Sequence, residues 1–272
     1  MRRPPAQQHR THTITVDGVK RTFHLYRPAA LASPAALVVV LHGGFGTGLQ
    51  AESSYGWDAE ADTGHFLVAY PDGLDRAWAV GGGCCGAPGR TGVNDVAFLT
   101  QVVRTVSGEV PVDAARVYAT GISNGGLMAY RLACDTTVFA AIGPDSATLL
   151  GSCPSPAPTS VIHVHGTADH TIPYAGGQGD GPARINGPAV TDVVAMWRDV
   201  DHCGPTTATT AAPVTTSVAA CPDGRAVALV TGAAGLPVAP VRRLPRTPRT
   251  RPGRSATPSH RRSPPPGTDR CC

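Results

Sequence analysis

Arg116-Val117-Tyr118-Ala119-Thr120-Gly121-Ile122-Ser123-Asn124-Gly125-Gly126-Leu127 is the stretch that decides the fold. It reads as a short buried strand, a tight turn, and a helix running on toward Cys134. Such a turn leaves no room for side chains two residues before and two after its apex, and Gly121 and Gly125 stand there. The turn would hold the Ser123 hydroxyl above the strand end, at a helix N-terminus whose dipole favours developing negative charge. That is the strand–Gly-x-Ser-x-Gly–helix setting of a nucleophilic serine. The bland alternative is a plain helix-entry turn.

Outward from this stretch, strands and helices alternate. Ala36–Leu41 and Phe66–Tyr70 are continuous apolar runs that end in turns, the pattern of strands buried on both faces. Val161–His165 and Ala226–Val230 read the same way. Asp95–Val106 has apolar residues at helical spacing, and Val190–Val200 reads as another helix. Upstream, Thr13–Val16 and Lys20–Tyr26 flank Asp17-Gly18, a hairpin signal. The order predicts an α/β fold, a mostly parallel sheet with helices on both faces.

Two further segments carry chemistry. Leu41-His42-Gly43-Gly44-Phe45-Gly46-Thr47-Gly48 closes the first long strand, and its glycines let backbone N–H groups approach a ligand. The expected oxyanion donors are the N–H of Phe45 or Gly44 together with that of Asn124. No Gly-Lys-Ser/Thr follows, which discounts a phosphate loop. His42 precedes the serine and reads as a structural hydrogen-bonder rather than a base. The other segment is His165-Gly166-Thr167-Ala168-Asp169-His170, just after a buried strand. Asp169 is placed to orient an imidazole; a turn aspartate is the alternative. His170, beside it, is badly placed to bridge Asp169 and Ser123.

Composition removes several classes. The net charge is +4, but Leu236 to Cys272 holds nine Arg, no Lys and one Asp. That stretch carries +8, so the remainder is mildly acidic. No basic patch with interleaved aromatics points to nucleic acid. No apolar run of membrane-spanning length exists. Met1-Arg2-Arg3-Pro4-Pro5 is not followed by an apolar stretch, so no secretory signal is expected within this chain. Leu236–Cys272 also holds nine Pro and no aromatic residue. It is expected to be a disordered tail, read either as out-of-frame sequence or as a genuine basic tail.

Cysteines 84, 85, 134, 153, 203 and 221 form an even set that favours disulfides and an oxidising compartment, with buried free thiols as the alternative. Cys203 with Cys221, flanking a Thr/Ala-rich hairpin-like segment, is the first candidate pair, and Cys134 with Cys153 the second. Cys84-Cys85 lacks the partners a zinc site needs and is not a Cys-x-x-Cys redox motif. No metal and no cofactor are expected.

With Ala77-Trp78, Gly81–Gly86 and Val93–Leu99, these segments resemble the polyhydroxybutyrate depolymerase and feruloyl-esterase-like family of secreted α/β-hydrolases, over about Thr13 to Thr231. The resemblance implies one α/β-hydrolase domain over residues 12–232, with residues 233–272 as the tail, and an extracellular location. It implies cleavage of carboxylic esters through an acyl-enzyme on Ser123, with Asp169 as the triad acid. Short aliphatic esters, feruloyl esters and polyhydroxyalkanoate oligomers are all open as substrates. Family members carry the catalytic His in a Gly-rich turn after the last strand, usually before Trp-Pro. Here the last strand runs into Thr231-Gly232-Ala233-Ala234-Gly235-Leu236-Pro237, with neither His nor Trp. The second reading is therefore a dead or truncated member of the same family, lacking the triad His.

Overall fold

The computed structural model describes residues 7–233. The expected tail lies outside them, and with it His260, the tail's one histidine.

The central strand is β3 (Ala35–Leu41), and its seven residues show why the sheet is covered on both sides. Leu37, Val39 and Leu41 pack into one apolar cluster with Trp78, Phe98, Leu127 and Trp197. Val38 and Val40 point the other way, into a smaller cluster with Tyr26, Val68, Tyr70, Ala51 and Ala61. A two-residue alternation that is apolar at both phases needs a layer on each face.

The chain begins with the hairpin β1 (Gln8–Val16) and β2 (Val19–Arg27), antiparallel across Asp17-Gly18. After β3 come α1 (Gly48–Ser54), α2 (Trp57–Gly64) and β4 (Leu67–Pro71). Then follow α3 (Gly86–Thr91), α4 (Asp95–Glu109), β5 (Val112–Ile122) and α5 (Asn124–Asp135). β6 (Ala141–Asp145) and β7 (Ser160–Gly166) continue the sheet. β8 (Gly177–Gln178) and β9 (Asn186–Gly187) form a small separate ribbon before α6 (Val190–Val200). β10 (Thr206–Ala211), β11 (Val214–Ala220) and β12 (Ala226–Gly232) complete the chain's described strands.

Among the described residues the main sheet has ten strands in the order β1-β2-β4-β3-β5-β6-β7-β12-β11-β10. Its six inner strands, β4 to β12, run parallel, and the two hairpins close the edges antiparallel. From β3 the chain steps outward to β4 and then returns to β5 on the other side. The order reverses between β3 and β5, and a crevice at such a reversal is where open α/β sheets place their sites.

Several ties hold the layers. Arg21 on β2 donates to Asp95 at the start of α4 at 2.6 Å, and both are buried. Disulfides join Cys134 to Cys153 and Cys203 to Cys221. The neighbours Cys84 and Cys85 are also bonded to each other, a link that sequence spacing did not suggest. Among the described residues no helix is long and apolar enough to cross a membrane.

Candidate active site

Ser123 sits between β5 and α5 with φ 54° and ψ −122°. A non-glycine residue at such dihedrals costs on the order of 1–3 kcal/mol, so its surroundings must impose it. Its N–H donates to the Asp145 carbonyl at 2.9 Å, and its own carbonyl accepts from Leu127 N–H at 2.9 Å. The flanking glycines are forced. A Cβ on Gly121 would stand 2.7 Å from the Leu41 carbonyl oxygen, and one on Gly125 would overlap that same oxygen. The turn is therefore packed against the end of β3.

That packing brings the Gly-rich loop to the serine. A Cβ placed on Gly43 would lie 3.8 Å from Ser123 Cβ, and one on Gly44 would lie 3.8 Å from Asn124 Cβ. Of the expected donors, the N–H of Phe45 is already engaged by the Arg76 carbonyl at 2.8 Å. Phe45 itself has φ 65° and an exposed ring. The N–H of Gly44 has no acceptor among the described residues. The Asn124 N–H is at the first position of α5, where a helix offers no internal acceptor. The Asn124 side chain is occupied with Trp78, accepting from its N–H at 2.7 Å and donating to its carbonyl at 3.2 Å.

His42 is fully buried and fixed as a neutral ring. Gly73 N–H donates to its Nε2 at 2.9 Å, so Nδ1 carries the proton and donates to the Gly43 carbonyl at 2.8 Å. Burial lowers its pKa below the usual imidazole value. Its role is to brace the loop.

Asp169 lies beyond β7. One carboxylate oxygen accepts from Thr171 N–H at 2.8 Å and Ile172 N–H at 3.0 Å, the bonds of a turn aspartate. The other oxygen stands 3.6 Å from His165 Nε2. That ring is committed elsewhere, because Nε2 bonds the Ile172 carbonyl at 2.9 Å.

The expectation of ester cleavage through an acyl-enzyme on Ser123 is corrected by this geometry. Ser123 is half-buried and does not join the site's buried polar residues. Its hydroxyl has no hydrogen-bond partner among the described residues, and each imidazole there is placed elsewhere. His9, His12, His24 and His65 belong to the hairpin edge and the loop after α2. His163 and His165 bond each other in β7. His170 faces Asp180 at 3.9 Å, and His202 is exposed after α6. A serine without a base within hydrogen-bond reach is a weak nucleophile at neutral pH.

Sequence reading missed Asp145. It ends β6, between the strands that carry Ser123 and Asp169. Burial, with a smaller push from the Asp169 charge, raises its carboxyl to about 6, against a bond from Ser146 that lowers it. It also missed a buried chain in which Tyr130 O–H meets His163 Nδ1 at 2.6 Å and His163 Nε2 meets His165 Nδ1 at 3.0 Å. The signal available was His163-x-His165, two imidazoles on one face of a strand.

Comparison with known proteins agrees with this architecture. Residues 21–175, more than half of the chain, match the family model described as esterase PHB depolymerase. Feruloyl esterase C of Emericella nidulans is 34% identical over 125 residues, which covers 45% of this chain and 42% of that protein. The bifunctional acetylxylan esterase/xylanase XynS20E of Neocallimastix patriciarum is 29% identical over 162 residues, covering 58% of this chain and 23% of that protein. The chain thus spans about half or less of the length of these curated relatives. Among solved structures, the acetyl xylan esterase from Aspergillus awamori superposes with a TM-score of 0.62 at 18% identity, covering 82% of this chain and 93% of that one, a likeness of fold. With the elbow, the Gly-rich loop and the sheet order in place, the matched residues settle the family: the chain belongs to the esterase PHB depolymerase family of α/β-hydrolases.

Proposed function

We propose that this chain is a catalytically silent member of its esterase family, with the serine elbow kept and the base of the triad missing. One observation carries the reading: no imidazole of the described residues reaches the Ser123 hydroxyl, and Asp169 binds its own turn. The domain proposed for this role covers residues 12–232. What it retains is the elbow with the Gly-rich loop packed against it, where the Gly44 and Asn124 N–H groups, without an acceptor among the described residues, are free to hold an ester or carboxylate oxygen without turning it over. Three disulfides support an extracellular setting.

The test is a fluorophosphonate probe and p-nitrophenyl acetate, each offered to the full chain and to a variant in which Ala234–Val238 is replaced by Gly-His-Ala-Trp-Pro. Loss of a triad member costs on the order of 10⁴- to 10⁶-fold. The unmodified chain should react with neither reagent above the Ser123→Ala background, and the graft should gain orders of magnitude. Rapid turnover by the unmodified chain, abolished in Ser123→Ala, overturns the proposal.

A further inference from the structure

Far from the serine elbow in sequence, three metal-ligating side chains converge from three elements. His9 comes from β1, Glu52 from the last turn of α1 and Asp58 from the first turn of α2. One ligand atom of each lies within 4.8 Å of the others. Donor atoms around a single ion, each about 2.0–2.2 Å from it, are at most about 4.4 Å apart, so only a small side-chain adjustment separates this arrangement from a closed site.

The groups are held by neighbours that are not ligands themselves. The His9 ring packs on Tyr26 with centroids 4.8 Å apart. One Asp58 oxygen accepts from Tyr70 O–H at 2.7 Å, which leaves its second oxygen for another partner. Such outer bonds orient metal ligands in known sites. The surrounding charge is unbalanced. Asp62 stands alongside, its carboxylate taken by Tyr26 O–H and the Gln7 amide, each at 2.7 Å. The largest charged influences on Asp58 come from Glu52, His9 and Asp62. Three carboxylates therefore share one imidazole.

We propose that His9, Glu52 and Asp58 bind one divalent transition-metal ion of the zinc class. One imidazole with two carboxylates suits such an ion, whereas calcium and magnesium favour all-oxygen sets. The Glu52 side chain is 12% exposed and that of His9 58%, so the site is walled on the carboxylate side and open for water on the other. Its effect is mechanical. The helix α1 starts directly after the Gly-rich loop, capped by Thr47. An ion on Glu52 would pin that helix to the edge hairpin and to α2.

The competing account is a plain ion pair between His9 Nδ1 and Glu52 Oε1, 2.8 Å apart. The full chain, stripped with EDTA, is titrated with ZnCl2 against a chromophoric chelator, with CaCl2 and MgCl2 in parallel. One equivalent of Zn²⁺ should bind and raise the Tm. His9→Ala, at an exposed side chain, and Glu52→Gln, which keeps the shape of a mostly buried one, should each weaken that equivalent at least tenfold and remove the Tm rise while leaving the circular dichroism unchanged. Zinc binding unaltered in both variants, no saturable equivalent in the wild type, or preference for calcium or magnesium overturns the proposal.

Discussion

Asn124 and Trp78 hold each other in both directions: the Trp78 N–H donates to Asn124 Oδ1 at 2.7 Å, and Asn124 Nδ2 donates to the Trp78 carbonyl at 3.2 Å. Both residues are buried. The residue after the serine thereby anchors the segment that carries Cys84 and Cys85, whose own N–H and carbonyl groups bond Trp78 and Val80. Asn124→Ala should cost about 1–3 kcal/mol, because it strands the buried Trp78 N–H, while the Trp78 carbonyl keeps the Cys85 N–H. Urea unfolding measures this. A midpoint unchanged from wild type would show that the segment is held elsewhere.

The pair Arg21–Asp95 predicts a larger loss. Arg21 and Asp95 are almost wholly buried, the guanidinium lies 3.9 Å from the Phe98 ring centre, and Asp95 also accepts from Ala79 N–H at 2.8 Å. Arg21→Met should destabilise by about 3–5 kcal/mol, since it leaves a buried carboxylate without its cation. Adding Asp95→Leu should recover much of that in chemical denaturation. Equal losses in the single and double variants would mean that packing, rather than charge, holds the site.

A third expectation concerns acid stability. Burial holds His163 well below the ordinary value of 6.5 and lowers His165 and His42 as well. Below pH 6.5 the unfolded chain takes up protons that the folded rings refuse, so stability falls as pH falls, by up to about 1.4 kcal/mol per pH unit for each group. Unfolding free energies between pH 7 and 5 check this. His163→Gln should flatten the slope, and an unchanged slope would move the acid sensitivity elsewhere.

Much of the fold was legible because its signals are local. The apolar run of β3, the Asp17-Gly18 turn and the spacing of α4 each fix an element from neighbours alone. The strand β6 was not, since Ala141-Ile142-Gly143-Pro144-Asp145 has a single β-branched residue and two breakers, and it forms because β5 and β7 pair with it on either side. The helices α1 and α2 are seven and eight residues long, too short for a clear period. At the site, the glycines around Ser123 could be read because sterics act within the motif. That the Phe45 N–H is spent on Arg76 could not, because its acceptor comes from a turn 31 residues on. The cluster at His9 likewise depends on β1 meeting two helices some forty residues later.

Asp145 gives the last expectation, and its sign is opposite to that of the histidines. Its carboxyl is raised from 3.8 to about 6, chiefly by burial, with the Asp169 charge adding to it. The folded chain therefore binds a proton more tightly than the unfolded chain does. Stability from this group is fully present below pH 3.8, falls as pH rises toward 6, and stays lost above that. At pH 7 the folded state holds a buried anion beside a second carboxylate, at a cost on the order of 1–3 kcal/mol. Asp145→Asn removes the charge and keeps an oxygen to accept from Ser146 O–H, now 2.9 Å away. The variant should be more stable than wild type at pH 7 and nearly equal to it at pH 4. Melting temperatures at the two pH values decide it. A variant less stable at both would mean that the ionised carboxylate has a stabilising partner, and that burial is not what raises its pKa.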